Sequence, residues 1–257
     1  MPPTATFTER RRNFRALHEQ GCFLLPNPWD VGGAVRLARM GFKALASSSS
    51  ACAMALGRTD YQITLQEALD HLRLLVVATN LPVNADFENG FADEPARVAE
   101  NVHKAVATGI AGLSVEDCAT ETLYPAQQAV ERIAAAKAAI KASGEDVILI
   151  ARTEAYLIGQ TEPKFVIDRL IQFAEAGADC LYAPGVTDVA TIRDIVKAVA
   201  PKPVNVLLFK PEMRVSELAN VGVRRISLGG VLAGAAWQAF DRAAQQFLAE
   251  GSIPPTA

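Results

Sequence analysis

Short runs of consecutive apolar residues alternate with longer stretches whose apolar positions recur at helical spacing, and the alternation persists along the whole chain. The short runs are CFLL (22–25), KALAS (43–47), PVNA (82–85), GLSVE (112–116), VILIAR (147–152), CLYA (180–183), VNVLL (204–208) and RRISL (224–228). They are rich in Val, Ile and Leu and bounded by Gly, Pro, Asn and Asp, the pattern of buried strands. Helical spacing covers 31–40, 65–79, 95–108, 126–143, 164–176, 189–200, 215–221 and 232–250, and a further helix over 8–20 precedes the first strand. Gly closes several of these helices just before the next strand, as in MGFKAL, TGIAGLSV, AGADCLY and VGVRRISL, which is C-cap chemistry feeding a short loop. Eight such units predict an α/β chain folded as one (β/α)8 TIM-type barrel over 1–257, with the extra N-terminal helix across its bottom. A doubly wound open sheet is the competing arrangement. It calls for a Gly-rich first turn, whereas the first strand here runs into PNPWDVGG.

Composition narrows the function classes. Half of the 257 residues are hydrophobic, enough for a substantial core. The net charge is -3, with Lys and Arg interspersed among Asp and Glu. No basic stripe points to nucleic acid. The longest apolar runs are too short and too interrupted to span a bilayer, and the N-terminus lacks the apolar core of a secretory signal. The four cysteines, Cys22, Cys52, Cys118 and Cys180, are far apart and form no C-x-x-C pair. That usage predicts a reduced, cytoplasmic protein with neither a disulfide framework nor a zinc site.

In a barrel of this kind, chemistry collects where strands end and βα loops begin. Reading those ends in order gives Asn27, Trp29 and Asp30; Ser47 to Ser50 and then Asp60; Asn84, Asp86 and Glu88; Glu116 and Asp117; Arg152 and Glu154; Tyr182; Asn205 and Lys210; Ser227, Gly229 and Gly230. The carboxylates follow neighbouring strands two, three and four, and Arg152 lies opposite on strand five. Oxygen ligands clustered without His or Cys suit a hard cation, and Mg²⁺ is typically held by one or two carboxylates plus water and substrate oxygens. His18, His71 and His103 all fall in helical segments, which argues against an imidazole zinc site or a His base. Each signal also has a purely structural reading. Asp and Asn after strands cap helices, SSSS serves as a plain loop, and Cys118 serves as a small buried hydrophobe.

The segments NPWDVGGAVRLARMGFKALASSSSACAMALGRTD, PVNADFENGF, GIAGLSVEDC, ILIARTEAYL, AEAGADCLYAPG and GVRRISLGG together resemble the isocitrate lyase/phosphoenolpyruvate mutase superfamily over nearly the whole chain. The resemblance implies a Mg²⁺-dependent enzyme, with Mn²⁺ as a substitute, acting on small 2-oxo acids or related dicarboxylates through an enolate. It implies substrate carboxylate binding at Ser48 and Ser49, metal-bound water at Asp60, Glu116 in the metal shell, and Arg152 clamping carboxylate and oxyanion. Asn205, at the end of strand seven, joins the substrate-binding set. It also implies a homotetramer built by exchanging a C-terminal helix, here about 232–250.

Two departures bear on function. Many members carry Asp-x-Asp-x-Gly-x-Gly on strand three, and here Asn84 takes the first acidic position, leaving Asp86, with Glu88, as the metal ligands. The Lys-[Lys/Arg]-Cys-Gly-His loop of the lyases proper is absent from EDCATETLYPAQQAVERI, and Pro184 stands near where methylisocitrate lyases place a glutamate. The resulting expectation is a lyase that cleaves or decarboxylates a small 2-oxo or 2-hydroxy dicarboxylic acid. The alternatives are phosphonopyruvate or phosphoenolpyruvate chemistry at the same site, and a barrel that binds 2-oxo acids without turnover.

Overall fold

The computed structural model describes residues 4–255. In chain order the strands are β1 (Phe23–Leu25), β2 (Leu45–Ala46), β3 (Val83–Asp86), β4 (Gly112–Glu116), β5 (Cys118–Ala119), β6 (Thr122–Leu123), β7 (Ile148–Arg152), β8 (Cys180–Tyr182), β9 (Val204–Leu207) and β10 (Arg225–Ser227). The helices are α1 (Phe7–Leu17), α2 (Val31–Arg39), α3 (Ser49–Ala55), α4 (Leu65–Ala78), α5 (Pro95–Val106), α6 (Ala126–Ser143), α7 (Pro163–Glu175), α8 (Val189–Val199), α9 (Val215–Asn220) and α10 (Val231–Glu250). Eight strands form one parallel sheet in the order β1-β10-β9-β8-β7-β4-β3-β2. The two outer strands approach each other where Ala46 N–H donates to the Pro26 carbonyl at 3.0 Å and Asn27 Nδ2 donates to the Ser47 carbonyl at 2.8 Å. This is the (β/α)8 barrel expected from the alternation.

Strand side chains alternate between two environments. Val83, Ala85, Leu113, Val115, Leu149, Ala151, Leu181, Val206 and Ile226 point outward into the layer beneath the helices. Their neighbours point into the barrel, where Phe23, Leu25, Ala46, Ile148, Ile150 and Cys180 surround Phe14 from α1. A capping box between Thr6 and Glu9 starts α1, and Arg11 Nε donates to the Ile110 carbonyl at 2.9 Å. Phe14, fully buried, thereby plugs the bottom of the barrel, a burial that contributes about 2 kcal/mol or more. Gly112 makes room for this plug, since a Cβ there would meet Phe14 and Asn84 at 2.7 Å.

Above the plug the inward positions turn polar. Glu116, Arg152, Tyr182, Asn205 and Arg225 are successive register partners across five strands. Two elements differ from the pattern read in the sequence. The second strand is only Leu45–Ala46, because Ser48 caps a new helix, α3, through a bond from Ala51 N at 3.3 Å. The segment after β4 folds into the β5–β6 hairpin. Among the described residues no helix is long and apolar enough to cross a membrane.

Candidate active site

Arg152 organises the mouth of the barrel. Its Nη1 lies 3.1 Å from Asp86 Oδ1 and 3.0 Å from Glu116 Oε1. Its Nε and Nη2 grip the two Glu154 oxygens in a fork, the Nη2 contact at 3.1 Å. The guanidinium also lies 5.3 Å from the Tyr182 ring centroid. Burial works against its charge, but Glu116, Glu154 and Asp86 outweigh that and hold its pKa well above the ordinary value. Burial likewise pushes the Glu116 and Glu154 carboxyls up, against the pull of Arg152.

The remaining residues picked out in the sequence take distinct positions. Ser49 donates from both its backbone N and its Oγ to Asp86 Oδ2 at 3.0 Å, and Oγ also reaches Asp60 Oδ1 at 3.3 Å. Asp60 therefore joins Asp86 through Ser49, while Glu116 joins Asp86 through Arg152. Burial and the nearby Asp86 raise the Asp60 pKa. Ser48 is turned away, its Oγ occupied by the α3 cap and by Ser50 Oγ at 3.1 Å. Asn205 lies deeper, bonded to Ser227 Oγ at 3.0 Å and to Arg225, and touches none of these carboxylates. Asp30 is a helix cap, accepting from Gly33 N, and Lys210 is exposed beyond β9.

Tyr61 was not singled out in the sequence. Its hydroxyl donates to Glu116 Oε2 at 2.7 Å, so Glu116 is held between a phenol and a guanidinium. Tyr61 carries φ 61, a left-handed conformation that turns the chain after Asp60 back over the barrel. No periodic pattern marks such a loop residue, and its adjacency to Asp60 is the one signal it carries.

Glu88 has an unusual setting. The strand-three motif places glycine at this position, and Glu88 keeps a glycine-like φ of 44. Its side chain is buried, with Oε1 lacking any hydrogen-bond partner. Burial, then Asp86 and Asp60, push its pKa up to about 8. The folded protein thus holds a proton that the unfolded chain releases near pH 4.5, so this residue costs stability as pH rises from 4.5 to 8. Glu88→Gln should remove a penalty on the order of 4 kcal/mol at pH 8 and leave stability at pH 4 nearly unchanged. Thermal melts across that range, without added metal, check this; an unchanged pH slope would show that Glu88 titrates normally.

A cation fits this donor set on chemical grounds. Asp86, Glu88, Glu116 and Asp60 offer only hard oxygen ligands, and Glu88 Oε1 is buried and uncommitted. Among the described residues no three such side chains already converge on one point. That is compatible with Mg²⁺, which needs few protein ligands. Cys118 is buried beside this cluster, and burial, then Glu154, push its thiol up to about 12. It is therefore a thiol rather than a thiolate at neutral pH. Cys118→Ala should leave turnover within about threefold, and the native protein should resist iodoacetamide at Cys118 at pH 7.

The sequence profile described as Phosphoenolpyruvate phosphomutase matches residues 14–248. A solved structure from Burkholderia cenocepacia J2315, for which a lyase/mutase activity has been suggested, superposes with a TM-score of 0.93 at 43% identity, covering 96% of this chain and 91% of that one. An uncharacterized protein of Mycobacterium tuberculosis (strain ATCC 25618 / H37Rv) is 30% identical over 221 residues, 85% of this chain and 82% of its own. The oxaloacetate decarboxylase of Pseudomonas savastanoi pv. phaseolicola (strain 1448A / Race 6) is 30% identical over 236 residues, 86% of this chain and 79% of its own. With a matching profile over most of its length and an Arg-centred acidic site at the mouth of its barrel, this chain belongs to the phosphoenolpyruvate phosphomutase family, within the isocitrate lyase/phosphoenolpyruvate mutase superfamily.

Proposed function

We propose that this protein is a Mg²⁺-dependent lyase that cleaves or decarboxylates a small 2-oxo or 2-hydroxy dicarboxylic acid, with oxaloacetate as the first substrate to try. The observation that carries the reading is the largely buried Arg152 guanidinium, held by Asp86, Glu116 and Glu154 at the barrel mouth. A fixed cation there stabilises the negative charge that builds on a 2-oxo oxygen as a neighbouring bond breaks. The oxaloacetate decarboxylase relative supports the same chemistry.

In this reading the substrate carboxylate takes the Ser49 N–H and Oγ donors that now serve Asp86. Arg152 faces the substrate oxygens. Glu154 and Glu116 orient its planar fork, and Tyr61 fixes Glu116. Asp86 and Glu88 would hold Mg²⁺ or Mn²⁺, with Asp60 and Glu116 behind them through water. The bound ion would supply Lewis-acid polarisation of the 2-oxo group.

Turnover of a panel of oxaloacetate, alkylmalates and isocitrate at saturating Mg²⁺ tests the proposal; no turnover of any of them would overturn it. The family's phosphomutase members favour a second reading, which ³¹P NMR of phosphonopyruvate or phosphoenolpyruvate with the enzyme would detect.

We also infer a homo-oligomer. Along α10 only Ala233 is buried, while Phe240, Phe247 and Leu248 are 61%, 64% and 88% exposed. A 20-residue helix with three such side chains in water is a face awaiting a partner. A second copy, exchanging or packing this helix, covers it. Light scattering should give a mass near four times the 27.4 kDa chain, and Phe240→Glu with Phe247→Glu should lower it.

A further inference from the structure

A second guanidinium lies beneath Arg152. Arg225, on β10, is only 2% exposed and points into the barrel above Phe14. Its Nε donates to Asn205 Oδ1 at 3.1 Å and its Nη1 to Asn84 Oδ1 at 3.3 Å. Both partners are neutral amides, and among the described residues no carboxylate lies within ion-pair distance of it. The contrast with Arg152 is direct. Carboxylates lift the pKa of Arg152, whereas burial governs Arg225 and lowers it.

The amide at 84 maintains this imbalance. Asn84 Nδ2 is spent on the Ala85 carbonyl at 3.0 Å, which turns Oδ1 toward Arg225. An aspartate at the same place, as in the Asp-x-Asp form of the motif, would put a carboxylate on Arg225. The cavity between the two arginines is lined by Asp86, Arg152 and Arg225 as its charged residues; Asp86, Glu116 and Glu154 already serve Arg152, so Arg225 is the cation there that no carboxylate pairs. It is narrow, with about 30 Å³ of room, enough for a few water molecules at most. An uncompensated charge in such a place is destabilising, and an incoming anion offsets that.

We propose that Arg225, left without a counter-charge by Asn84, acts through the cavity floor to set a preference for ligands carrying two negative charges over ligands of the same size carrying one. This rests on the dicarboxylic reading above and narrows it, making Arg225 a specificity-determining residue rather than a member of the reacting set. The attraction is Coulombic and acts over several ångströms of water-poor interior. At an effective dielectric constant near 20, one such charge changes dianion affinity by about 10- to 50-fold.

Titration calorimetry with oxalate and pyruvate, at saturating Mg²⁺, tests this; the two have similar size and differ in charge. The wild type should bind oxalate well above pyruvate. Asn84→Asp supplies the missing carboxylate and should cut oxalate affinity by about 10- to 50-fold but pyruvate affinity by only about three- to sevenfold, since a single charge feels half the Coulomb energy. Asn84→Ala, which leaves Arg225 uncompensated, should keep the wild-type ratio. Arg225→Gln should behave like Asn84→Asp. Because that variant risks misfolding, the Asn84 pair carries the decision. An oxalate-to-pyruvate ratio unchanged or raised in Asn84→Asp, or a wild type without oxalate preference, overturns the proposal. Failure of the lyase reading has a different signature: no dicarboxylic acid turns over, yet the charge preference and its loss in Asn84→Asp persist.

Discussion

Arg152→Met is expected to lower kcat/KM for the proposed decarboxylation by at least about 10³-fold, with most of the loss in kcat. The cation lies where charge develops, so its interaction is stronger in the transition state than with bound substrate. Arg152→Lys separates charge from geometry. A lysine keeps the positive charge but cannot grip both Glu154 oxygens while reaching Asp86 and Glu116, so about 10²-fold of the loss should remain. The methionine variant should also show a steeper pH dependence of stability than the wild type. Without the guanidinium, burial and mutual repulsion hold Glu116 and Glu154 protonated in the fold still further above the ordinary carboxylate range. The folded state then binds more protons than the unfolded chain, and stability falls as pH rises above about 4.5. Steady-state kinetics with oxaloacetate and thermal melts from pH 5 to pH 8 check both statements. A methionine variant retaining a tenth of wild-type kcat would remove Arg152 from the chemistry.

The barrel was legible in the sequence because short, continuous apolar runs alternate with helical spacings from end to end, and eight such units have few ways to close. The residues that gather around Arg152 were legible for a related reason: a charged residue ending an apolar run such as VILIAR has few structural uses. What the sequence concealed lies in contacts that carry no spacing. Ser49 looks like part of a flexible serine run, yet α3 starts beneath it and directs its N–H at Asp86. Tyr61 reaches Glu116 across 55 positions from a loop turned by its own positive φ. Arg225 stands in a strand beside Arg224, and nothing in RRISL says that the first is half-exposed while the second is buried against two amides. Burial against neutral partners is a tertiary property, so a lone sequence does not display it.

The second large effect concerns a pair that touches no substrate. Asp117, 1% exposed at the end of β4, accepts from Arg169 Nε at 2.8 Å with one oxygen and from Glu154 N at 2.9 Å with the other. Arg169, on α7, also donates to the Tyr124 carbonyl at 3.1 Å. This tie joins the ends of β4 and β7 to a helix, and it fixes the backbone of the glutamate that forks Arg152. Asp117→Asn keeps an acceptor for Glu154 N but turns an amide NH2 toward the Arg169 donor, leaving that guanidinium buried without a counter-charge. Breaking one side of such a pair costs about 3–5 kcal/mol. At about 2–4 °C per kcal/mol for a chain of this size, the melting temperature should drop by roughly 10 °C. Replacing both partners with apolar residues, Asp117→Leu with Arg169→Met, should restore much of the lost stability, because no unpaired charge remains. Activity should not recover with it, since the Glu154 N–H is then without its acceptor and the Arg152 fork loses its support. A thermal-melt cycle over the two single variants and the double, with kcat measured alongside, separates the roles. Stability that returns without kcat marks the pair as a positioning device for Arg152, whereas joint recovery would make it packing alone.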